Sequence, residues 1–314
     1  MQVFDAEATR EALPFERLIP ALRELFAAGC EVPPRHVHRI EAPAGSAAEA
    51  VTSLIMPAWQ AGRAYGVKIV NIAPGNAACG LPALHASYVL HDAQTGEPLA
   101  LIDGGEITAR RTAAASALAA ASLAAPQAKT LLVVGAGRVA RLLPEAMRVV
   151  WPSIRRVTVW ARVAARAGAL ADELRRQGFD ARPAADLPAA VAEADIVSCA
   201  TLATEPVVRG RWLRAGSHLD LIGSFTPAMR EADDDCFRAA RIYIDIEEAL
   251  AKSGDLIGPL ARGVIRAQDV AGTLATLARG ETTGRSTSDE RTVFKSVGTA
   301  LEDLAAAMLV WDGR

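Results

Sequence analysis

Apolar positions change their rhythm part-way along the chain. Before residue 105 they fall in short runs broken by turn residues, and beyond residue 130 such runs alternate with helical patterns. Leu18, Leu22, Leu25 and Phe26 keep one helical face, which predicts a helix over 4–28. Runs at 36–41, 51–56, 67–74, 83–92 and 97–104 predict strands. The turn-rich stretch HDAQTGEP, 91–98, predicts that the last two form a hairpin, an antiparallel pattern. Alanine-rich 108–125 predicts a helix by propensity.

The second pattern begins with an apolar run at 130–134 and a helical pattern reaching 150. Strands follow at 157–162, 179–184, 195–201, 217–224 and 241–248, with helices at 163–177, ended by Gly178, and at 187–193. Strands alternating with helices predict a doubly wound parallel sheet. The last stretch, 292–312, reads as a helix with one apolar face. It is expected to return to the first half, which has few helices to cover its strands.

Between the run at 130–134 and the following helix stand Gly135, Gly137 and Ala140, in the order G-x-G-x-x-A. Strand, glycine turn and helix in sequence form the dinucleotide fingerprint of a Rossmann domain. Gly135 permits the tight turn, Gly137 lets backbone approach a pyrophosphate, and Ala140 keeps helix and strand close. The free N–H groups of the helix start, at Arg138 and Val139, face the phosphates. About 130 residues precede the turn, enough for a separate substrate domain. The expected fold is therefore α/β: a Rossmann doubly wound parallel sheet over 119–290, and an α+β domain built from 1–118 with the C-terminal helix at 291–314.

In such folds an acid at the end of the second strand selects the free 2′-hydroxyl of NAD. Here that strand ends Trp160-Ala161-Arg162, with Arg166 one turn on. A guanidinium there either pairs with a 2′-phosphate or stacks on the adenine. The first use favours NADPH, with NADH as the other candidate. Ala200 and Thr201, in SCAT, and Gly223 and Ser224, in LIGS, close parallel strands and join the cofactor-facing candidates.

Bulk properties narrow the partners. Of 314 residues 51% are hydrophobic and 22% charged, which describes a folded chain long enough for two domains. A net charge of −2 without a basic tail argues against nucleic acid and an anionic membrane surface. No apolar run approaches the ~20 residues of a membrane span. The N-terminus is acidic and amphipathic, unlike a signal peptide. Cys30, Cys79, Cys199 and Cys236 have no disulfide or metal spacing and read as reduced thiols of a cytoplasmic protein. The histidines form no metal-ligand pattern.

Six blocks, in order, carry a resemblance over nearly the whole chain: YGVK (65–68), the hairpin, TARRTAAASALAA (108–120), GAGRVA (135–140), SCAT (198–201) and TVFKSVG (292–298). Together they resemble the ornithine cyclodeaminase/mu-crystallin family. The resemblance implies a homodimer with a substrate and dimerisation domain beside a Rossmann domain, acting on small α-amino or α-imino acids with a nicotinamide cofactor. It also implies that Arg111 holds the substrate carboxylate, that Lys68 is the active-site lysine and that Arg35 is a second carboxylate contact. The chemistry agrees, since a guanidinium fork suits a carboxylate and an ammonium can donate a proton to nitrogen. From the residues alone, Arg110 and Arg111 also fit a solvated helix face, and Lys68 fits a strand edge or a site.

The cyclodeaminases of that family carry an aspartate in a G-x-D-x-P turn. Here the segment reads GSFTPAMRE, with Phe225 in the place of the acid. Phenylalanine moves no proton, so deamination lacks its base there. The segment is similar to that of the Δ1-pyrroline-2-carboxylate reductase branch. The expected reaction is NADPH-dependent reduction of a cyclic imino acid to proline, or to pipecolate for the six-membered ring. Phe225 would then be an apolar wall, and Thr226 and Ser224 hydrogen-bonding partners of substrate or carboxamide. His85 is a second proton-donor candidate or a structural histidine. Two other readings stand beside this one. A cyclodeaminase or alanine dehydrogenase-like NAD(H) enzyme would need an acid such as Glu231 or Asp233. The other is a non-enzymatic, NADPH-dependent small-ligand binder.

Overall fold

The structure, a computed structural model, describes residues 1–42 and 49–313. The chain divides into two compact units, Met1–Arg111 with Thr299–Arg314, and Thr112–Gly298.

The first unit contains β1 (Gln2–Phe4), α1 (Ala6–Ala12), α2 (Phe15–Ala28), β2 (His36–Ile40), β3 (Val51–Gln60), β4 (Ala64–Ile72), β5 (Leu84–Asp92) and β6 (Pro98–Asp103). The start of α3 (Gly104–Leu123) and the C-terminal helix (Ala300–Asp312) complete it. The single helix expected over 4–28 is instead β1 and two helices. Pro14 causes the break, because the residue before a proline is driven out of the helical region. The sheet order is β1-β6-β5-β4-β3-β2, antiparallel except for β1 beside β6. Along β4 every second residue, Ala64, Gly66, Lys68 and Val70, is buried. That is the alternation a half-covered strand requires. The C-terminal helix packs with α2 and against β3, β4 and β5. Its buried residues include Leu304, Ala307 and Met308, and also Glu302 and Asp303.

The second unit contains β7 (Thr130–Val134), α4 (Arg138–Val150), β8 (Arg156–Trp160), α5 (Ala164–Arg176), β9 (Asp180–Pro183), α6 (Leu187–Glu193), β10 (Ile196–Cys199) and β11 (His218–Leu221). Then come β12 (Ala240–Ile244), α7 (Ala249–Lys252), α8 (Gly254–Ala261), β13 (Val270–Thr273), α9 (Leu274–Ala278) and β14 (Arg291–Lys295). All eight strands are parallel, in the order β13-β12-β14-β11-β10-β7-β8-β9. Strands β9-β8-β7-β10-β11 form the 3-2-1-4-5 arrangement whose order reverses between β7 and β10, where dinucleotides bind.

The helix expected over 292–312 is corrected. Residues 291–295 form β14, inserted between β11 and β12, and the helix begins at Ala300. A short apolar run buried on both faces has no period to separate strand from helix. Among the described residues no helix is long and apolar enough to cross a membrane.

Candidate active site

In the first unit the expected lysine and arginine are drawn together by acids that sequence reading missed. Lys68, 1% exposed, points from β4 to the C-terminal helix, its Nζ 2.6 Å from Asp303 Oδ2. The same ammonium donates to Thr108 Oγ1 at 3.3 Å. Asp303 Oδ1 accepts from Arg111 Nε at 3.1 Å, and Glu302 Oε2 pairs with Arg111 Nη1 at 2.6 Å. Asp303 therefore bridges the two cations. Burial pushes the Lys68 ammonium down to about 8, with Arg111 adding to the fall, while Asp303 and Glu302 oppose it.

Arg110 and Arg111 are not a solvated face. Arg110 is buried, donates from Nε to Leu13 O at 2.7 Å, and lies 4.3 Å over the Phe15 ring, so it builds the unit. One signal could have disclosed Glu302 and Asp303: adjacent acids inside the otherwise apolar stretch ALEDLAAAM. The competing explanation is that acids favour the first turn of any helix, here one capped by Thr299.

His85, the second proton-donor candidate or structural histidine, does not share a face of the sheet with Lys68. Lys68 stands opposite Tyr88 in the β4–β5 ladder and His85 stands opposite Asn71. Alternation therefore turns exposed His85 to the other face of the sheet. Arg35 is half-buried just before β2, two strands from β4.

In the second unit the glycine turn has the geometry the fingerprint predicts. Gly135 has φ +125°, and a Cβ there would lie 2.5 Å from Ala200 O, so backbone conformation and the neighbouring loop both demand glycine. A Cβ on Gly137 would meet nothing within 4 Å. The open space beside Gly137 lies at the N-terminus of α4, where the N-cap glycine supplies no side-chain cap. Arg138 is exposed, Val139 half-buried, and Ala140 fully buried against the sheet. This arrangement fits a dinucleotide pyrophosphate. Arg162 and Arg166 are exposed beyond the end of β8.

The loops after β10 and β11 complete this side. Thr201 donates its N–H and hydroxyl to Glu231 Oε1, at 2.7 and 2.8 Å, and Gly223 donates its N–H to Glu231 Oε2 at 2.6 Å. Ser224 is wholly buried, and its hydroxyl donates to Met229 O at 2.6 Å and lies 2.9 Å from Ser253 Oγ. The expectation of an outward hydrogen bond from Ser224 is thus corrected, because that hydroxyl builds the turn. Phe225 is 45% exposed and Thr226 half-buried, both just past β11. Asp233 Oδ1 accepts from Gly210 N at 2.8 Å.

The model of the ornithine cyclodeaminase/mu-crystallin family matches residues 30–313. The chain is 43% identical over 260 residues to the Delta(1)-pyrroline-2-carboxylate reductase of Paracoccus denitrificans, covering 82% of each chain. Among solved structures it is similar to the Delta(1)-pyrroline-2-carboxylate reductase of Thermococcus litoralis in complex with NADH and L-proline. That match has a TM-score of 0.90 and 32% identity, over 100% of this chain and 97% of the other. An archaeal alanine dehydrogenase dimer with bound NAD matches with a TM-score of 0.91 and 28% identity, over 100% of this chain and 95% of that one. The chain belongs to the ornithine cyclodeaminase/mu-crystallin family.

Proposed function

We propose that the protein is a nicotinamide-dependent reductase of cyclic α-imino acids, converting Δ1-pyrroline-2-carboxylate to proline and the six-membered homologue to pipecolate. The observation that carries this reading is the buried Lys68 ammonium, 2.6 Å from Asp303 and linked through it to Arg111. A proton donor is thereby fixed beside an anchor for a carboxylate. The names of the relatives in P. denitrificans and T. litoralis support it.

When bound at the glycine turn, the cofactor supplies a hydride to carbon 2 of the C=N bond. Lys68 gives its proton to the ring nitrogen, so C=N becomes CH–NH and the ammonium becomes an amine that solvent reprotonates. An ammonium pushed down to about 8 releases a proton more readily than an ordinary lysine. Arg111, oriented by Glu302 and Asp303, holds the substrate carboxylate, with Arg35 as a second contact. Phe225 and Thr226 offer an apolar wall and a hydroxyl to the ring.

The geometry also disfavours the deaminating alternative. Glu231 and Asp233, the acids named for it above, are engaged inside the second unit with Thr201, Gly223 and Gly210. Asp303, the acid that does stand beside Lys68, is held between two cations.

Arg162 and Arg166, with no acid closing β8, favour NADPH over NADH. Edge strand β2 is exposed throughout, with Val37 at 61% and Ile40 at 56%, which supports assembly as a homodimer. Sedimentation at micromolar concentration checks that assembly, and a monomer rejects it.

The deciding experiment is a substrate panel of five- and six-membered cyclic imino acids, ornithine and alanine, each with both cofactors. NADPH oxidation with the cyclic imino acids is expected, without ammonia release from ornithine. No turnover of the imino acids with either cofactor rejects the reading. Tight ligand binding without NADPH oxidation would instead favour a binder.

A further inference from the structure

Glu231 lies outside every role assigned so far, yet it is fully buried at the point where three loops of the second unit meet. The loop after β7 touches the loop after β10, since Gly135 leaves no room for a Cβ beside Ala200 O. The loop after β10 touches the turn after β11, since a Cβ on Gly223 would lie 2.0 Å from Thr201 O and 2.4 Å from Glu231 Oε1. Glu231 reaches into this junction and accepts three hydrogen bonds, two from Thr201 and one from Gly223. Its own backbone is gripped in turn, because Asp255 Oδ1 accepts from the N–H groups of Glu231 and Ala232 at 2.8 and 3.0 Å.

We propose that Glu231 is a positioning residue for the nicotinamide cofactor, its carboxylate clamping the Thr201 loop to the Gly223 turn and so fixing the floor against which the glycine turn seats. The inference rests on the cofactor site assigned above to the carboxyl ends of β7, β10 and β11. The clamp works only as an anion. Protonation turns one carboxylate oxygen into an O–H, and at Oε2 that donor would confront the Gly223 N–H. At Oε1 the Thr201 hydroxyl can rotate to accept, but the Thr201 N–H then loses its partner.

Burial pushes the Glu231 carboxyl up to about 7, with Asp255 adding to the rise and Lys295 and the Thr201 hydrogen bonds opposing it. The groups facing it are Lys295 from β14, Asp255 from α8, and the buried thiol of Cys199 from β10. Lys295 Nζ donates to Leu221 O at 3.0 Å and lies 3.6 Å from Asp255 Oδ2, while the adjacent Arg230 pairs outward with Asp234. The proton therefore enters near neutral pH. A raised carboxyl contributes stability that is present below its ordinary value of 4.5 and lost as pH rises through about 7. The clamp has the opposite sign, since it is complete above 7 and released below. Global stability and cofactor affinity are thus expected to follow pH in opposite directions, which a residue with a merely structural role would not produce.

The test is a fluorescence titration of the full chain with NADH, chosen because it lacks the titrating 2′-phosphate, at pH 6 and pH 8. Hydrogen exchange at residues 199–204 and 222–226 is followed alongside. The wild type should bind NADH up to about tenfold more weakly at pH 6. E231Q should bind weakly at both pH values and exchange faster in both segments. E231Q with wild-type affinity and pH response overturns the inference while leaving the proposed function intact. Should E231Q fail to fold, the wild type decides alone, because equal affinity at both pH values overturns it. A wild type that binds neither NADH nor NADPH overturns both readings.

Discussion

Both units bury ions, but they use them differently. In the first, Lys68, Arg111, Glu302 and Asp303 pair side chain with side chain across segments far apart in sequence. In the second, buried acids grip backbone: Glu231 takes the N–H groups of Thr201 and Gly223, and Asp245 takes those of Val297 and Gly298. A side-chain pair sets the charge and proton affinity of each partner. A backbone grip sets the shape of a loop. Loss of a first-unit partner should therefore disturb chemistry, and loss of a second-unit grip should disturb binding.

The hardest test of that contrast is Lys68→Met. It should lower kcat by roughly 10²- to 10⁴-fold, the usual contribution of a positioned proton donor. NADH affinity, measured by fluorescence titration, should stay at the wild-type value. Unchanged kcat removes Lys68 from the mechanism, and weakened NADH binding breaks the division of labour. Next in size is Asp303→Ala, which takes the carboxylate from buried Lys68 and leaves Arg111 paired with Glu302. Removing one partner of a buried ion pair costs about 3–5 kcal/mol, readable in urea denaturation. A loss below about 1 kcal/mol would mean that water reaches the pair.

pH separates the units further. Lys68 is pushed down to about 8 by burial, so its proton leaves in the alkaline range and kcat/KM for the imino acid should fall above pH 8. Asp303 holds the lysine charged, so Asp303→Asn should move that fall to lower pH. Lys68→Arg keeps its charge and should abolish the alkaline limb, whatever its rate. An alkaline limb that survives in Lys68→Arg belongs to another group. A smaller effect is expected on the cofactor side, where Arg162→Leu should raise KM for NADPH roughly tenfold and leave KM for NADH in place. Equal changes for both cofactors would assign Arg162 to adenine stacking.

The units also differ in how much of them the sequence discloses. The glycine turn was legible because its constraint is local: Gly135, Gly137 and Ala140 lie within six residues and each answers to the backbone around it. Alternation was legible too, and Lys68 shares the buried face of β4 with Gly66 and Val70 as its parity requires. The lysine's partner was not legible, because Asp303 arrives from the far end of the chain and its spacing carries no trace of Lys68. For His85 the register adds what the hairpin pattern alone does not: it sets the ring on the face opposite Lys68. The sequence of β14 carries no strand period because Thr292, Val293 and Phe294 are all buried, and a strand covered on both sides loses its alternation.

The smallest predicted effect lies closest to the chemistry. Tyr88 stands directly across the ladder from Lys68, fully buried, and among the described residues its hydroxyl has no hydrogen-bond partner. Burial pushes the phenol upward, with Asp303 adding to the rise, so it stays protonated and supplies no charge to the lysine. The hydroxyl occupies the space over Gly66, where a Cβ would come within 2.0 Å of it. Its removal loses no hydrogen bond and relieves the desolvation of an unmatched polar group. Tyr88→Phe should therefore leave kcat within about twofold and be neutral to stabilising by about 1 kcal/mol. Gly66→Ala should destabilise both the wild type and the Tyr88→Phe background, because the ring carbons Cζ and Cε1, at 2.5 and 2.6 Å from the new Cβ, stay in the way. A large fall in kcat for Tyr88→Phe would extend the proton-handling group from Lys68 and Asp303 to the phenol, and the first unit would then work through three side chains.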